Sequence, residues 1–316
     1  MTLPGEFHLI ERLKHLIPRS LQGPFPIGDD AAILPTGRGK CLLFTTDAIV
    51  EGVDFIIGSG GTAPEQIGHK ALAVNLSDIA AMGGRPLAFV VSWGIPKKLS
   101  QRWVQRIAKG MIRLARAFDT AWVGGDISRA QRLFISIALL GEGEIERIVQ
   151  RKGARRGDLI YVTGELGGSI YGKHLSFLPR VQEADYLVKQ FHPSAMIDIS
   201  DGFIQDLEHL LVSSQVGARV DLDRIPISEV VWKKARGSRA RALEHALTEG
   251  EDFELLFTLR SKEGERLEKM WPRQFKGLPL TKVGEIVDSH AGTMEWRDRG
   301  KRVRRLRIRR KGFTHF

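Results

Sequence analysis

The sequence predicts a mixed α/β (α+β) protein built from two domains. Strand-like and helix-like segments alternate in both halves of the chain, which favours sheets packed against helices. The length of 316 residues exceeds that of a usual single domain, and 42% hydrophobic residues suffice for a substantial core. A polar stretch rich in Gly, Arg and Glu at 141–158 interrupts the alternation. We therefore expect domains at residues 1–141 and 142–316.

The first half contains apolar runs of strand length and amphipathic segments of helical period. The run at 87–95 is too apolar to remain an exposed sheet edge, so it predicts pairing with a further element or a second copy. The two glycines of AWVGGD at 121–126 are typical of a strand-to-loop turn. We expect strands at 42–46, 87–95 and 133–140 and helices at 64–82 and 102–118.

The second half repeats the alternation, with strands expected at 159–163, 195–199, 218–222 and 253–259. Of the net charge of +11, residues 297–311 carry +9, from ten basic residues and one Asp. Their alternation of apolar and basic residues predicts an edge strand with a basic outer face, which also suits phosphate-bearing ligands in general. The chain lacks the interleaved aromatic and basic residues that stack bases, so no nucleic-acid partner is expected.

The single cysteine, Cys41, excludes a disulfide within the chain, and no Cys/His cluster offers a zinc site. Cys41 stands in an apolar strand, where a thiol packs as an inert core group. The N-terminal segment lacks the long apolar core of a signal peptide. No apolar run approaches the roughly 18 residues that a membrane span requires. We expect a soluble, cytoplasmic protein with no membrane partner.

Several aspartates stand at the ends of apolar strands or beside glycines, where loops meet a binding crevice. Carboxylates brought into one cleft repel one another, and Mg²⁺ supplies a compensating positive charge. The pattern therefore predicts a site for hard cations. These aspartates are Asp29, Asp30, Asp47, Asp78, Asp126, Asp198 and Asp201.

Each segment also has an ordinary structural interpretation. Asp29 and Asp30 fit an Asx-turn, and Asn75 with Asp78 fits a solvated helix face. The GELGGS segment at 164–169 suits either anion binding through backbone N–H groups or a plain glycine turn. No G-x-x-x-x-G-K-[ST] loop and no kinase-type glycine loop with a downstream H-R-D occurs, so a nucleotide would need another cradle.

Taken together, the motifs resemble one family over nearly the whole chain. They are GDDAA at 28–32, TTDAIVEGVDF at 45–55, NLSDIAAMGGRP at 75–86, GGDISR at 124–129, AMIDISDGFIQDL at 195–207, EGEDFELLFT at 249–258 and GFTHF at 312–316. In this order they resemble the thiamine-monophosphate kinases, in the superfamily of aminoimidazole ribonucleotide synthase.

The resemblance implies a Mg²⁺-dependent phosphotransferase that moves the γ-phosphoryl group of ATP onto thiamine phosphate, in thiamine diphosphate biosynthesis. It implies a homodimer in which the N-terminal domain binds ATP and Mg²⁺ and pairs its sheet with a second copy into a β-barrel. The C-terminal α/β domain would complete the nucleotide and substrate site. Because the acceptor phosphate oxygen is already a nucleophile, no catalytic base is expected.

The resemblance also assigns site residues. Glu251, Phe313 and Asp54 match positions that contact the substrate, although the family usually has His where this chain has Asp54. Asp29 is a further candidate beside the metals. The matching metal residues are Asp30, Thr45, Thr46, Asp47, Asp78, Asp126, Asp198 and Asp201, and the matching nucleotide contacts are Gly125, Asp126, Arg151 and Ser200.

Two other interpretations stay open at this point. One is another ATP-dependent member of the superfamily acting on a different acceptor, and the other is a nucleotide-binding or nucleic-acid-associated protein without catalysis. Asp54 and the segment GELGGSIYGKHL at 164–175 depart from the family's usual residues, and both departures bear on recognition of the acceptor.

Overall fold

The chain folds into a five-stranded sheet and a seven-stranded sheet, each packed against α-helices. The computed structural model describes residues 5–303 and 312–313. The strands are β1 (Ala32–Gly37), β2 (Lys40–Val50), β3 (Arg85–Ile95), β4 (Ala121–Arg129), β5 (Phe134–Glu144), β6 (Asp158–Thr163), β7 (Ala195–Asp198), β8 (Gly217–Asp221), β9 (Leu255–Arg260), β10 (Leu280–Val287), β11 (Met294–Asp298) and β12 (Lys301–Val303). The helices are α1 (Glu6–Leu16), α2 (Pro64–Ala81), α3 (Gln101–Ala117), α4 (Val181–Gln190), α5 (Phe203–Ser214), α6 (Glu229–Lys234), α7 (Arg239–Thr248) and α8 (Ser261–Gln274).

The first sheet has the strand order β1-β2-β5-β3-β4, with β4 parallel to β3 and the other pairs antiparallel. Alternate side chains of its strands, such as Leu43, Val91 and Ile137, point into a core shared with α2 and α3. Two glycines let these helices approach closely. A Cβ on Gly68 would lie 1.9 Å from the carbonyl oxygen of Ile107, which no side chain tolerates.

The opposite face of this sheet carries exposed apolar residues, among them Leu34, Phe44 and Val90. Along β4 every residue is exposed, including Val123 and Ile127. The run at 87–95 is indeed not an exposed edge, because β3 lies between β5 and β4 and is paired on both sides within the chain. The segment AWVGGD is a strand rather than the expected turn, since parallel pairing with β3 holds it extended.

The second sheet has the order β12-β11-β8-β10-β6-β9-β7. Ile160 and Val162 of β6 pack with α5 and α7 on one face, and Tyr161 between them packs with α4 and α8 on the other. This sheet is therefore covered by helices on both sides, and its strands are mostly apolar. The basic C-terminal segment begins with the edge strand β12, whereas the alternating residues 304–309 on which the predicted edge strand mainly rested lie outside the described part of the chain.

The two halves meet where α2 packs against α4 and β7. This contact brings the C-terminal half of α2 next to the carboxyl end of β7, with β2 on the other side of the helix. Within residues 5–303, no helix is long and apolar enough to cross a membrane.

Candidate active site

Three carboxylates from distant parts of the sequence converge at the contact between the two halves. Carboxylate oxygens of Asp30, Asp78 and Asp198 all lie within 4.8 Å of one another. Asp30 precedes β1, Asp78 lies on α2, and Asp198 ends β7. Such a set of hard oxygen ligands suits Mg²⁺ or another hard divalent cation.

Hydroxyl groups and one arginine hold these carboxylates in place. Thr45 donates to Oδ2 of Asp78, and Ser77 donates to Oδ2 of Asp198. Arg151 Nη2 donates to Asp30 Oδ1 at 2.7 Å. Asp30 Oδ2, by contrast, is buried and accepts no hydrogen bond from the described residues. A buried carboxylate oxygen without a donor is costly, and a bound cation would satisfy it.

The electrostatics of the cluster also favour a cation. Burial, together with the charges of Asp30 and Asp47, raises the pKa of Asp198 to about 7, although Ser77 and Arg151 act to lower it. Burial and the charges of Asp47, Asp198 and Asp30 raise the pKa of Asp78 well above its usual range. Without a cation, these carboxylates therefore resist full ionisation, and a divalent ion would restore it.

Asp47 extends the cluster from β2. Its backbone N–H donates to Asn75 Oδ1 at 3.1 Å, which fixes the strand against α2. Burial raises the pKa of Asp47, and a hydrogen bond with Asp78 offsets this only in part. Asn75 and Asp78 thus both face the site, one turn apart on α2. Thr46, between Thr45 and Asp47, is exposed on the opposite face of the sheet, as the alternation of a strand requires.

Arg151 is anchored by its backbone as well as by Asp30. Asp29 accepts from the Arg151 backbone N–H at 2.7 Å and from Gln150 Nε2 at 2.7 Å. Burial acts to lower the pKa of the Arg151 guanidinium, but the charge and hydrogen bond of Asp30, with the charges of Asp206 and Asp198, keep the pKa raised. Asp29 therefore binds the segment that carries Arg151, which gives it a supporting role beside the cluster.

The turn from β7 into α5 carries Ser200 and Asp201. Asp206, one turn into α5, accepts from the backbone N–H groups of Asp201 and Gly202 at 3.1 and 3.0 Å. Burial and the charges of Asp201 and Asp198 raise the pKa of Asp206 well above its usual range. Sequence reasoning missed Asp206. An acidic residue in the first turn of a helix, from which the side chain can reach back to the N–H groups at the helix start, is the signal that could have found it.

A cleft of about 600 Å³ opens next to the carboxylates. Asp47 and Asp78 line one end, and Ser200, Asp201 and Glu251 line the other walls with Phe313. Glu251 and Phe253 have φ values of 64° and 51°, in the left-handed region that non-glycine residues seldom adopt. Backbone N–H groups of both residues donate to the turn after β7, which holds this conformation against its cost.

Asp54 stands beside this cleft but is tied to its own turn. Its Oδ2 accepts from the backbone N–H of Val50 at 2.7 Å, which closes the turn after β2. Its carbonyl oxygen accepts from Lys70 Nζ at 3.1 Å, and Lys70 also pairs with Glu251. Lys70 was not among the site residues predicted from the sequence.

Gly125 and Asp126 lie apart from the cluster in this chain. They belong to the exposed edge strand β4, and β5 and β3 separate β4 from β2. Three strand spacings correspond to roughly 14 Å along the sheet. Asp126 accepts from Ser128 Oγ at 3.2 Å, and it projects from the same face as its pairing partner Ser92.

The three glycine N–H groups of the segment 164–169 are not free to bind an anion, and that of Gly164 donates to the carbonyl oxygen of Pro279 at 2.8 Å. The N–H of Gly167 donates to Asp252 Oδ2 at 2.8 Å, and that of Gly168 donates to Glu249 Oε2 at 2.7 Å. Of the two interpretations of this segment, the turn is the one the structure supports. Its carboxylate partners follow about 80 residues later, as the separations of 85 and 81 residues show, so local sequence cannot reveal them.

Comparisons with known proteins identify the family. The N-terminal domain of AIR synthase related protein matches residues 28–142, and the C-terminal domain of the same family matches 155–297. A thiamine-monophosphate kinase of Rhodopirellula baltica is 39% identical over 270 residues, which is 83% of each chain. The enzyme of Escherichia coli K12 is 33% identical over 334 aligned positions, covering 99% of this chain and 98% of the relative. The chain belongs to the thiamine-monophosphate kinase family.

Solved structures of thiamine-monophosphate kinases have the same architecture. AaThiL complexed with AMPPCP and TMP aligns with a TM-score of 0.83 at 31% identity, over 100% of this chain and 99% of that one. The thiamine-monophosphate kinase of Stenotrophomonas maltophilia K279a aligns with a TM-score of 0.74 at 32% identity, over 94% and 98%. The hydrogenase maturation protein HypE shares the fold at 18% identity with a TM-score of 0.69. The resemblance seen in the sequence motifs is thereby confirmed.

Proposed function

We propose that this chain is an ATP-dependent thiamine-monophosphate kinase, which transfers the γ-phosphoryl group of ATP to the phosphate of thiamine phosphate. The observation that carries the proposal is the full-length likeness to a relative solved with an ATP analogue and TMP, together with the buried carboxylate cluster beside a cleft. Competing acceptors find less support, since the curated relatives at 32–39% identity bear one and the same name.

The donor end of the site is the carboxylate cluster. The unpartnered Asp30 oxygen and the raised pKa values of Asp78 and Asp198 fit a divalent cation. We propose that Asp30, Asp47, Asp78 and Asp198 hold Mg²⁺, with Thr45 orienting Asp78. When bound, Mg²⁺ supplies the positive charge that offsets the repulsion between two phosphate-bearing substrates. Arg151, Ser200 and Asp201 are the proposed contacts to the nucleotide and its metals.

The acceptor end is the part of the cleft near Glu251 and Phe313. Phe313 presents an exposed aromatic ring, held by its backbone N–H to the carbonyl oxygen of Asp201 at 2.9 Å. A flat heteroaromatic substrate suits such a surface, and a carboxylate such as Glu251 suits its cationic or amino groups. The protein's task in this reaction is to position the two phosphates in line, without a covalent intermediate or a dedicated base.

The direct test is ATP consumption in the presence of thiamine phosphate and Mg²⁺, against a control without acceptor. We expect thiamine diphosphate to form in equal amount to the ADP released. Omission of Mg²⁺ with EDTA present should stop the reaction. Acceptor-independent ADP release, or inertness toward thiamine phosphate, would refute the proposed function.

We further propose that the chain works as a homodimer whose two N-terminal sheets close into a barrel. The unpaired edge of β4 and the exposed apolar face of the first sheet support this. In a dimer, Asp126 and Gly125 of one copy would serve the cluster of the other, which accounts for their distance from the cluster in one chain. Thr46 faces the same side of the sheet and would take part there. We also propose domain limits of 1–141 and 142–316, which the division of the strands into two separate sheets supports.

Two measurements test the dimer. Light scattering should give about twice the chain mass of 35.3 kDa. Asp47→Asn and Asp126→Asn variants should each be inactive, and after unfolding and refolding together they should recover about a quarter of wild-type activity, because half the dimers are mixed and each holds one intact site. No recovery from a mixture shown to contain mixed dimers would place Asp126 in its own subunit's site.

A further inference from the structure

Lys70 is the one cation among the described residues that line the cleft. The cleft is otherwise acidic, with seven carboxylates. They are Glu6, Asp47, Asp54, Asp78, Asp201, Glu249 and Glu251. An anionic acceptor entering such a cleft needs a positive charge near its phosphate as well as at the metal cluster.

The position of Lys70 is costly for a lysine. Its side chain is 1% exposed and sits on α2 among Ile67, Ala71 and Val74, where an apolar residue would pack without a desolvation cost. Buried ammonium groups persist where they are paired and hydrogen-bonded. Here the partners are Glu251 from the C-terminal half and the carbonyl oxygen of Asp54 from the N-terminal half. Lys70 therefore ties both walls of the acceptor end together.

An ammonium group has three N–H donors, and these two partners use two of them. Within residues 5–303 and 312–313, no other hydrogen bond of Lys70 occurs, and the residue lines the cleft. We propose that the third donor of Lys70 binds an oxygen of the acceptor phosphate and so orients it toward the γ-phosphoryl group. This inference rests on the proposed function and adds a substrate-binding residue to it.

The test separates a phosphate contact from a purely structural tie. Binding of thiamine phosphate and of thiamine, which lacks the phosphate, is measured by calorimetry on the wild type, Lys70→Met and Lys70→Gln. We expect the variants to weaken binding of thiamine phosphate about 10- to 100-fold, the usual effect of losing a hydrogen bond between charged groups. Binding of thiamine and the KM for ATP should change less than about threefold.

Lys173→Met is the matched control. Lys173 pairs with a buried carboxylate, Glu254, at 2.9 Å, as Lys70 pairs with Glu251, but it does not line the cleft. We expect this variant to bind thiamine phosphate as the wild type does. Thermal unfolding checks that each variant is folded. If Lys70→Met does not fold, the test relies on Lys70→Gln, which keeps a polar side chain of similar length.

Equal weakening of thiamine and thiamine phosphate would overturn the phosphate contact and leave Lys70 as a structural tie. Unchanged binding of both would overturn any role in substrate binding. If either of these results is found and the wild type still phosphorylates thiamine phosphate, the proposed function stands. A wild type inert toward thiamine phosphate would refute the proposed function and this inference together.

Discussion

Replacing Asp198 by Asn should stabilise the metal-free protein while it abolishes phosphoryl transfer. The carboxylate is buried within 4.8 Å of two others, and its pKa is raised from an ordinary 3.8 to about 7. Between these values the folded protein keeps a proton that the unfolded chain has lost, so the free energy of unfolding falls as the pH rises through that window. At about 1.36 kcal/mol per pH unit, the full loss is about 4 kcal/mol above pH 7.

Asn has nearly the size of Asp, accepts the Ser77 hydroxyl through its amide oxygen and carries no charge. In EDTA at pH 8 we expect Asp198→Asn to unfold with a free energy higher than that of the wild type by up to about 4 kcal/mol. At pH 5 the difference should shrink, because Asp198 is then mostly protonated in the folded wild type. Added Mg²⁺ should stabilise the wild type and have a much smaller effect on the variant.

Urea unfolding followed by fluorescence of the six tryptophans measures these free energies. Asp185→Asn is the control, because Asp185 is half-exposed in a surface pair with Lys189, and such pairs contribute at most about 1 kcal/mol to stability. A variant less stable than the wild type at pH 8, or a difference that is the same at pH 5 and pH 8, would refute the electrostatic reasoning.

Three further predictions concern the site and its supports. Asp47→Asn should lower kcat at least about 100-fold without lowering the melting temperature, and near-normal turnover would remove Asp47 from the metal site. Asp54→His should keep the kinase active and change the KM for thiamine phosphate more than that for ATP. A wild type inert toward thiamine phosphate beside an active variant would contradict this. Gly164→Ala should cost about 1–3 kcal/mol of stability, because φ is +62° and its Cβ would lie 2.2 Å from the Glu254 carboxylate; denaturant midpoints equal to wild type would disprove the clash.

Much of the fold follows from apolar periodicity. The helices expected at 64–82 and 102–118 are α2 (Pro64–Ala81) and α3 (Gln101–Ala117), and the strand expected at 195–199 is β7 (Ala195–Asp198). Long segments with one apolar face have a strong local signal, so their predicted bounds differ from the observed ones by only a residue or two. The strand β4 was not predicted, because its glycines weaken that signal and all its side chains are exposed. Only the pairing with β3 makes this segment a strand.

The carboxylates of the site were predictable as a set of aspartates, but the expectation that they stand at strand ends holds only for Asp30 and Asp198, since Asp47 lies within β2 and Asp78 within α2. Their partners were not predictable, since each contact joins residues far apart in sequence. Ser77 and Asp198 are 121 residues apart, and Lys70 and Glu251 are 181 apart. Periodicity reports on neighbours along one element, and it carries no information about which buried side chain an opposite element will meet.

The same limit explains Asp126 and Lys70, in opposite ways. Asp126 stands in a glycine motif that drew attention, yet the structure places it on an exposed edge strand, apart from the cluster. Lys70 stands in an apolar helix and was not predicted as a site residue, yet the fold places its ammonium group at an acidic cleft between the two halves. Whether a charged residue takes part in a site depends on the electrostatic field around it, and tertiary structure sets that field.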